Sequence, residues 1–294
     1  MIEFELKKTS LRAHAPLSAH STMGVGGPAQ YFFEVADEGE LCYILARCRD
    51  YEIPRVTLGN GSNTLFSDYG YEGAVLHFGR NFAKVSREGE LLRVQSGKLL
   101  PALARYAAEV GLSGLEFACD IPASLGGGVA MNCGAFGGEL AERVEYVEIV
   151  CGCGKKRRLS PAECGFGYRD SIFLHSPACC VTEVGLRLAP STPERVRART
   201  AEIRALRREK QGVRERSLGS IFLAQDGIPA AKLIDACGLK GFRIGDAAVS
   251  ERHAGYIVNL GNATCENILS LITYIKSTVY RKYGIMLHEE IRKI

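Results

Sequence analysis

The chain has 294 residues, 46% of them hydrophobic and 24% charged, with a formal net charge of +4. That length suggests about two domains and a core large enough to need no disulfide staples. The composition excludes disordered, collagen-like and coiled-coil classes. Two long stretches lack Asp, Glu, Lys and Arg: residues 13–33, broken by two His and two Pro, and residues 121–138, holding six Gly. Neither reads as a membrane span. The opening MIEFELKKTS has no apolar signal-peptide core, so a cytoplasmic protein is expected.

In chain order, Leu41, Ile44, Leu45 and Cys48 follow the i, i+3, i+4, i+7 spacing of an amphipathic helix. β-rich runs at Arg55–Leu58, Ala74–Phe78, Leu91–Ser96, Val144–Val150 and Val181–Leu188 predict strands. Pro101 suits the first turn of a helix continuing through Leu103, Ala107 and Val110. After Pro190 the character changes. Pro193 opens a charged helix, and Pro229 opens another that stops at Gly238. Thr264 caps a third with the stripe Ile268, Leu271, Ile272, Ile275 and Val279, ending at Gly284. The pattern is mixed α+β, with a domain boundary expected near residues 189–195 and a weaker one near residue 80.

The eleven cysteines are odd in number and scattered, which fits small buried side chains in a reducing compartment. Cys151 and Cys153 form a C-x-C and Cys179 adjoins Cys180, but nothing completes a zinc set, so no metal is expected. Positive charge concentrates from Glu194 to Arg216, with nine Arg or Lys against four Glu. No aromatic residues interleave there, so a nucleic-acid partner is disfavoured; a solvated helix face or a field for a small anion remain.

Two glycine-rich segments carry the chemistry. Gly59-Asn60-Gly61-Ser62-Asn63 follows directly on a predicted strand, and its backbone N–H groups suit a phosphate or diphosphate, although a plain β-turn fits the spacing equally. It is neither a Walker loop nor a Rossmann fingerprint. The second, residues 114–138, is expected to be a long loop without regular structure. Two donor-rich loops in one domain suggest one extended dinucleotide, FAD or NAD.

At these residues the chain resembles the UDP-N-acetylenolpyruvoylglucosamine reductase (MurB) family. The matching segments are Thr22-Met23-Gly24-Val25-Gly26-Gly27-Pro28-Ala29, the GNGSN loop, GLEF…IPASLGGGVAMNCGAFGGE, Gly165–Phe173, Gly219-Ser220-Ile221-Phe222, Ala230–Gly245, Val249–Asn259 and Leu287…Glu290-Ile291-Arg292. The short connection from Tyr168 to Ser220 is similar to the family's second type, which lacks a substrate-loop insertion. The resemblance implies an FAD-binding domain of the vanillyl-alcohol-oxidase type in two subdomains, residues 1–80 and 81–191, and a smaller C-terminal α+β substrate domain, residues 192–294. It implies non-covalent FAD, NADPH as electron donor and UDP-N-acetylmuramate as product. The expected partners are these small molecules alone, with no nucleic acid and no membrane insertion, and a monomer or weak oligomer is expected.

By the same resemblance Gly59, Asn60, Gly61, Ser62, Asn63, Ile121, Pro122, Ser124, Gly127, Asn132 and Gly134 hold FAD. Arg169 is the catalytic arginine, whose charged fork suits a substrate carboxylate; a structural pair with Asp170 is the alternative. Ser220 is the proton donor, against a plain strand-entry turn. Glu290, preferred over Glu289, polarises the carboxylate with Arg169, and two adjacent carboxylates require a shared proton or an Arg bridge. Lys210 meets the substrate phosphates, Tyr168 lines the pocket, and Gln225 stands in for a polar contact. The chain departs from the family where Leu223-Ala224-Gln225 replaces the usual Lys-Asn-Pro, where Gln211-Gly212 replaces Gln-Pro, and at Gly24, a position often held by Arg. The alternatives are a flavin oxidase of the same superfamily acting on small alcohols, and a non-catalytic nucleotide-binding protein.

Overall fold

Asp37 starts the first helix by accepting hydrogen bonds from the amides of Gly39 and Glu40 at 2.9 and 3.2 Å. The computed structural model describes residues 3–176, 178–225 and 227–294. The architecture is α+β, and the chain divides into two compact units. The first takes the chain up to His14, Gln30–Asn60 and Glu72–Ala205; the second takes Ala15–Ala29, Gly61–Tyr71 and Leu206–Ile294.

The first unit holds two sheets. In one, the strands run in the order Ser10–Pro16, Pro28–Glu34, Tyr71–His77, Arg55–Leu58, with the last two parallel. Helix α1 (Glu38–Asp50) buries Leu41, Ile44, Leu45 and Cys48, the predicted stripe, among Tyr31, Phe33, Ala74 and Leu76. The other sheet has the order Lys156–Leu159, Val144–Val150, Cys180–Arg187, Leu91–Gln95, Val85–Glu88, antiparallel throughout. Helix α2 (Leu100–Glu109), with proline in its first turn, packs Leu103 and Ala107 into the core that includes Leu92, Val94, Val147 and Val184.

The segment 114–138 is not the unstructured loop expected from its glycines. Glu116–Ala118 forms a 3-10 turn, Leu125–Ala130 forms helix α3, and Gly134–Ala135 pairs antiparallel with Gly138–Glu139. Backbone polar groups inside a core must find partners, and the segment satisfies them locally. Ser124 caps α3, and the Glu116 carboxylate accepts from the Ser113 hydroxyl at 2.7 Å and the Gly114 amide at 2.8 Å. A one-turn helix, α4 (Ile172–His175), follows the Tyr168–Ser171 segment. The charged helix is α5 (Pro193–Lys210), which buries only Val196 and Ile203.

The second unit is built on a four-stranded antiparallel sheet in the order Arg216–Ser220, Tyr256–Asn259, Ala247–Val249, Arg243–Ile244. Helix α6 (Ala230–Ala236) and helix α7 (Cys265–Tyr283) supply its core with Leu233, Ile234, Ile268, Leu271, Ile272, Ile275 and Val279. A small parallel pair joins Arg292–Lys293 to Thr64–Leu65, so the chain end packs beside the residues that follow the GNGSN loop. Thr264 closes a capping box with Asn267, and Gly284 ends α7 at φ +70°, where a glycine avoids left-handed strain. Thr264→Ala removes an acceptor from the start of the helix that lines this core. Its expected cost is about 1 kcal/mol in the unfolding free energy, read by chemical denaturation with an unchanged m-value.

Candidate active site

Gly59 and Asn60, which open the first glycine-rich segment, meet the second within the first unit. The Asn60 side-chain amide donates to the Pro122 carbonyl at 2.7 Å. A Cβ placed on Gly59 would lie 2.1 Å from Ser124 Oγ, so a side chain there would push aside the hydroxyl that caps α3. Ser124 and Leu125 continue from Ile121 and Pro122, and Gly127 N–H reaches Ser124 Oγ at 3.4 Å. The backbone N–H groups of residues 59–63 donate to no acceptor among the described residues. A run of unclaimed amides in a sharply turned loop is the donor set that a diphosphate satisfies, so the residues present fit a dinucleotide.

Asn132 is 1% exposed and sits at φ +39°, a left-handed conformation that asparagine tolerates better than most residues. Both ends of its side chain are used by the protein: Nδ2 donates to the Gly167 carbonyl at 2.9 Å, and Oδ1 accepts from the Ala141 amide at 2.9 Å. Ser171 Oγ donates to the Ala130 carbonyl at 2.7 Å. Arg169 Nη2 donates to the Gly134 carbonyl at 2.6 Å, and the Arg169 guanidinium lies 5.3 Å from the Tyr168 ring centroid. Asp170 accepts from the Ser171 amide at 2.9 Å and lies 2.8 Å from His175 Nε2. Arg169 is thus anchored on the second glycine segment, while Tyr168 is 60% exposed.

In the second unit Ser220 ends its strand after Gly219, at a register irregularity opposite Tyr256. Ser220 Oγ donates to the Phe222 carbonyl over a long 3.4 Å. The Glu290 amide donates to the Ile221 carbonyl at 2.8 Å, which lays the chain end along the Ser220–Phe222 segment. Asn63 Nδ2 donates to the Glu290 carbonyl at 3.1 Å, and the Arg292 amide donates to the Asn63 carbonyl at 2.9 Å. A Cβ on Gly61 would fall 2.0 Å from the His20 carbonyl. Ser62 lies between Gly61 and Asn63 in this tie. Lys210 is exposed at the end of α5 with no ion pair among the described residues. Gln225 turns back on its own strand, its Nε2 3.3 Å from the Leu223 carbonyl. The two glutamates differ: Glu289 is 13% exposed on its side chain and ion-paired to Lys293 at 2.7 Å and Lys276 at 2.9 Å.

Two family profiles match this chain: an FAD binding domain over residues 29–160, and the C-terminal domain of UDP-N-acetylenolpyruvoylglucosamine reductase over residues 211–294. The chain is 41% identical over 282 residues to UDP-N-acetylenolpyruvoylglucosamine reductase 2 of Symbiobacterium thermophilum, covering 96% of this chain and 91% of that protein. It is 43% identical over 280 residues to the reductase of Heliobacterium modesticaldum, covering 95% and 89%. The crystal structure of UDP-N-acetylenolpyruvylglucosamine reductase (MurB) from Thermus caldophilus superposes with a TM-score of 0.84 at 36% identity, over 97% of this chain and 98% of that one. The chain belongs to the UDP-N-acetylenolpyruvoylglucosamine reductase family. It is a MurB flavoenzyme using FAD and NADPH. No described helix is long and apolar enough to cross a membrane.

Several residues of this MurB chain do scaffold work that the sequence did not single out. Thr22 Oγ1 donates to the Ser217 carbonyl at 2.6 Å while its amide donates to Gly61. Asn259, 5% exposed, donates to the Met23 carbonyl at 2.9 Å and accepts from the Gly261 and Ala263 amides. Both stand in the family's motifs, and nothing in composition or spacing separates them from their neighbours.

Gly59→Ala drives a methyl into Ser124, an overpacking of about 1–3 kcal/mol that displaces the loop. The purified variant is expected to carry severalfold less flavin, read as the ratio of absorbance at 450 and 280 nm. A second expectation concerns Glu289. Burial raises its pKa, but hydrogen bonds from Lys293 and Lys276 overcome this and hold it below its ordinary value of 4.5. A depressed carboxylate stabilises the fold above its unfolded pKa, and that contribution disappears as pH falls through the folded value. Glu289→Gln therefore lowers the Tm at pH 7, and the gap to the parent closes as the pH is taken well below 4.5 in thermal unfolding scans.

Proposed function

We propose that this chain reduces the enolpyruvyl ether of UDP-N-acetylglucosamine enolpyruvate to UDP-N-acetylmuramate, a step in making peptidoglycan precursors. The observation that carries the reading is the identity of about two residues in five, over nearly the whole chain, to reductases of that name. Bound FAD supplies two electrons as hydride, drawn from NADPH, to the electron-poor alkene. Everything else falls to the protein: the substrate must be oriented, the charge developing on its carboxylate must be stabilised, and one proton must be delivered.

The amides of residues 59–63 would hold the diphosphate of FAD, and Ile121, Pro122, Gly127 and Gly134 would line its site. Ser124 and Asn132 serve the cofactor indirectly, by capping α3 and locking the loop. Arg169, positioned by the Gly134 carbonyl, turns its cationic fork to the substrate carboxylate. Glu290 polarises the same carboxylate, its backbone fastened beside Ser220 by the bond from its amide to the Ile221 carbonyl. Ser220 Oγ, which among the described residues makes only a long contact of 3.4 Å, delivers the proton to the carbon adjacent to the one that receives hydride. Lys210, Tyr168 and Gln225 bind the UDP-sugar, with Lys210 on its diphosphate. The setting is the cytoplasm, where NADPH and UDP-sugars occur, and the working form is a monomer or weak oligomer. By role the chain divides in three: two FAD-binding portions, residues 1–80 and 81–191, and a substrate-binding portion, residues 192–294.

Anaerobic stopped-flow absorbance separates the half-reactions. NADPH bleaches the flavin near 450 nm, and the enolpyruvyl substrate restores it. Ser220→Ala keeps the bleaching rate and slows the recovery by at least ~100-fold, the weight of a lost general acid. Equal recovery in the variant removes Ser220 from the mechanism. Flavin that NADPH bleaches but only oxygen restores, with peroxide formed from a simple alcohol, replaces the reductase by a flavin oxidase.

A further inference from the structure

Tyr256 belongs to none of the assignments above, yet it occupies a central place in the second unit. It opens the strand Tyr256–Asn259 and lies directly across from Ser220 in the antiparallel pair. Residues opposite each other in such a pair share a face of the sheet, with Cβ atoms about 5 Å apart. Tyr256 is 8% exposed, a depth at which a phenol needs a partner for its hydroxyl. That partner is Gln211, whose Oε1 accepts from the Tyr256 hydroxyl at 3.2 Å. Gln211 is the residue after the end of α5, and its amide still bonds to the Arg207 carbonyl at 2.9 Å as a continuation of the helix. The ring is wedged against the His253 imidazole, centroids 4.9 Å apart and planes at 81°. The His253 Nδ1 in turn accepts from the Gly255 amide at 3.2 Å, so the wedge is itself held.

The charges around the phenol agree with this placement. Burial raises its pKa, the Arg207 guanidinium opposes the rise through charge and a hydrogen bond, and the Glu290 carboxyl adds to it. The hydroxyl therefore stays protonated across the working range and remains a donor to Gln211. Gln211 is one residue beyond Lys210, and Arg207 three before it. A bond at Gln211 thus fixes the turn of backbone from which the Lys210 side chain projects.

We infer that Tyr256 is a positioning residue that fastens the end of helix α5, and with it Lys210, over the strand pair carrying Ser220. The inference rests on the assignment of Lys210 to the substrate diphosphate. Its consequence is that affinity for the UDP half of the substrate depends on a hydroxyl that touches no ligand.

The probe is UDP, a fragment holding the diphosphate without the reacting group, titrated as a competitive inhibitor of the holoenzyme. Tyr256→Phe keeps the ring against His253 and removes only the hydroxyl. It is expected to raise the UDP inhibition constant and the KM for the enolpyruvyl substrate by roughly 3- to 10-fold, the loss of one net hydrogen bond. Flavin content, the rate of flavin reduction by NADPH and the Tm stay near the parent values. Lys210→Ala weakens UDP on its own, and adding Tyr256→Phe to it changes the inhibition constant by less than about twofold, because both act through one contact. Gln211→Leu reproduces the Tyr256→Phe effect, and the double variant Tyr256→Phe/Gln211→Leu is no weaker than either single one. An unchanged inhibition constant in Tyr256→Phe, while Lys210→Ala weakens UDP, overturns the inference and leaves the Lys210 assignment standing. Full additivity of Tyr256→Phe with Lys210→Ala also overturns it. A Lys210→Ala enzyme that binds UDP like the parent overturns the Lys210 assignment and the inference together.

Discussion

The organisation of the first unit depends on one buried carboxamide. Asn132 joins the second glycine segment to the Gly167 carbonyl and to the Ala141 amide, using a donor and an acceptor of the same side chain. Glycine-rich backbone has much conformational entropy to lose on folding, so a loop of this composition holds a shape only where side chains fix it. A polar group this deeply buried costs free energy unless it is paired, and here pairing and fixing are the same event. Ser171 and Arg169 add bonds to the Ala130 and Gly134 carbonyls, so the Gly167–Ser171 segment is tied to the second glycine segment at three points.

The second unit solves a different problem. Asn63, Ser220 and Glu290 come from distant stretches of the chain. Backbone hydrogen bonds bring them together, from the Glu290 amide to Ile221 and from the Arg292 amide to Asn63, with the parallel pair Arg292–Lys293 and Thr64–Leu65 behind. The chain end is thereby a structural strand, and Glu289 secures it with two lysines. Two adjacent glutamates thus meet different surroundings, one held by cations and one beside the Ser220 segment. Sequence preferred Glu290 only because it precedes Ile291-Arg292, a signal that carries no information about what either side chain touches.

Helix signals were legible because they are local. Thr264, Gly284, Pro101 and the apolar stripe of α1 act over a few residues, and each marks the element it predicts. The strands Arg55–Leu58 and Val144–Val150 agree to the residue, whereas Tyr71–His77 begins three residues before the expected Ala74. The expectation of a structureless loop over residues 114–138 failed for a physical reason. Glycine lowers helix propensity, but a serine cap and the demand of buried amides for partners outweigh it over one short helix.

By itself the sequence determined the α+β class, the helix ends, the two glycine-rich segments and, through their order, the family. These follow from short-range spacing, which a linear chain displays directly. Only the tertiary structure decided which glycines are irreplaceable, since that depends on Ser124 lying against Gly59 and the His20 carbonyl against Gly61. It alone also decided that Asn132 and Ser124 spend their side chains on the protein, that Glu289 is taken by lysines, and that the Tyr256 hydroxyl reaches Gln211. The pairings of Gly59 with Ser124, Glu289 with Lys276 and Tyr256 with Gln211 cross 13 to 65 positions of sequence, set by how sheets and helices pack, and no local pattern encodes them.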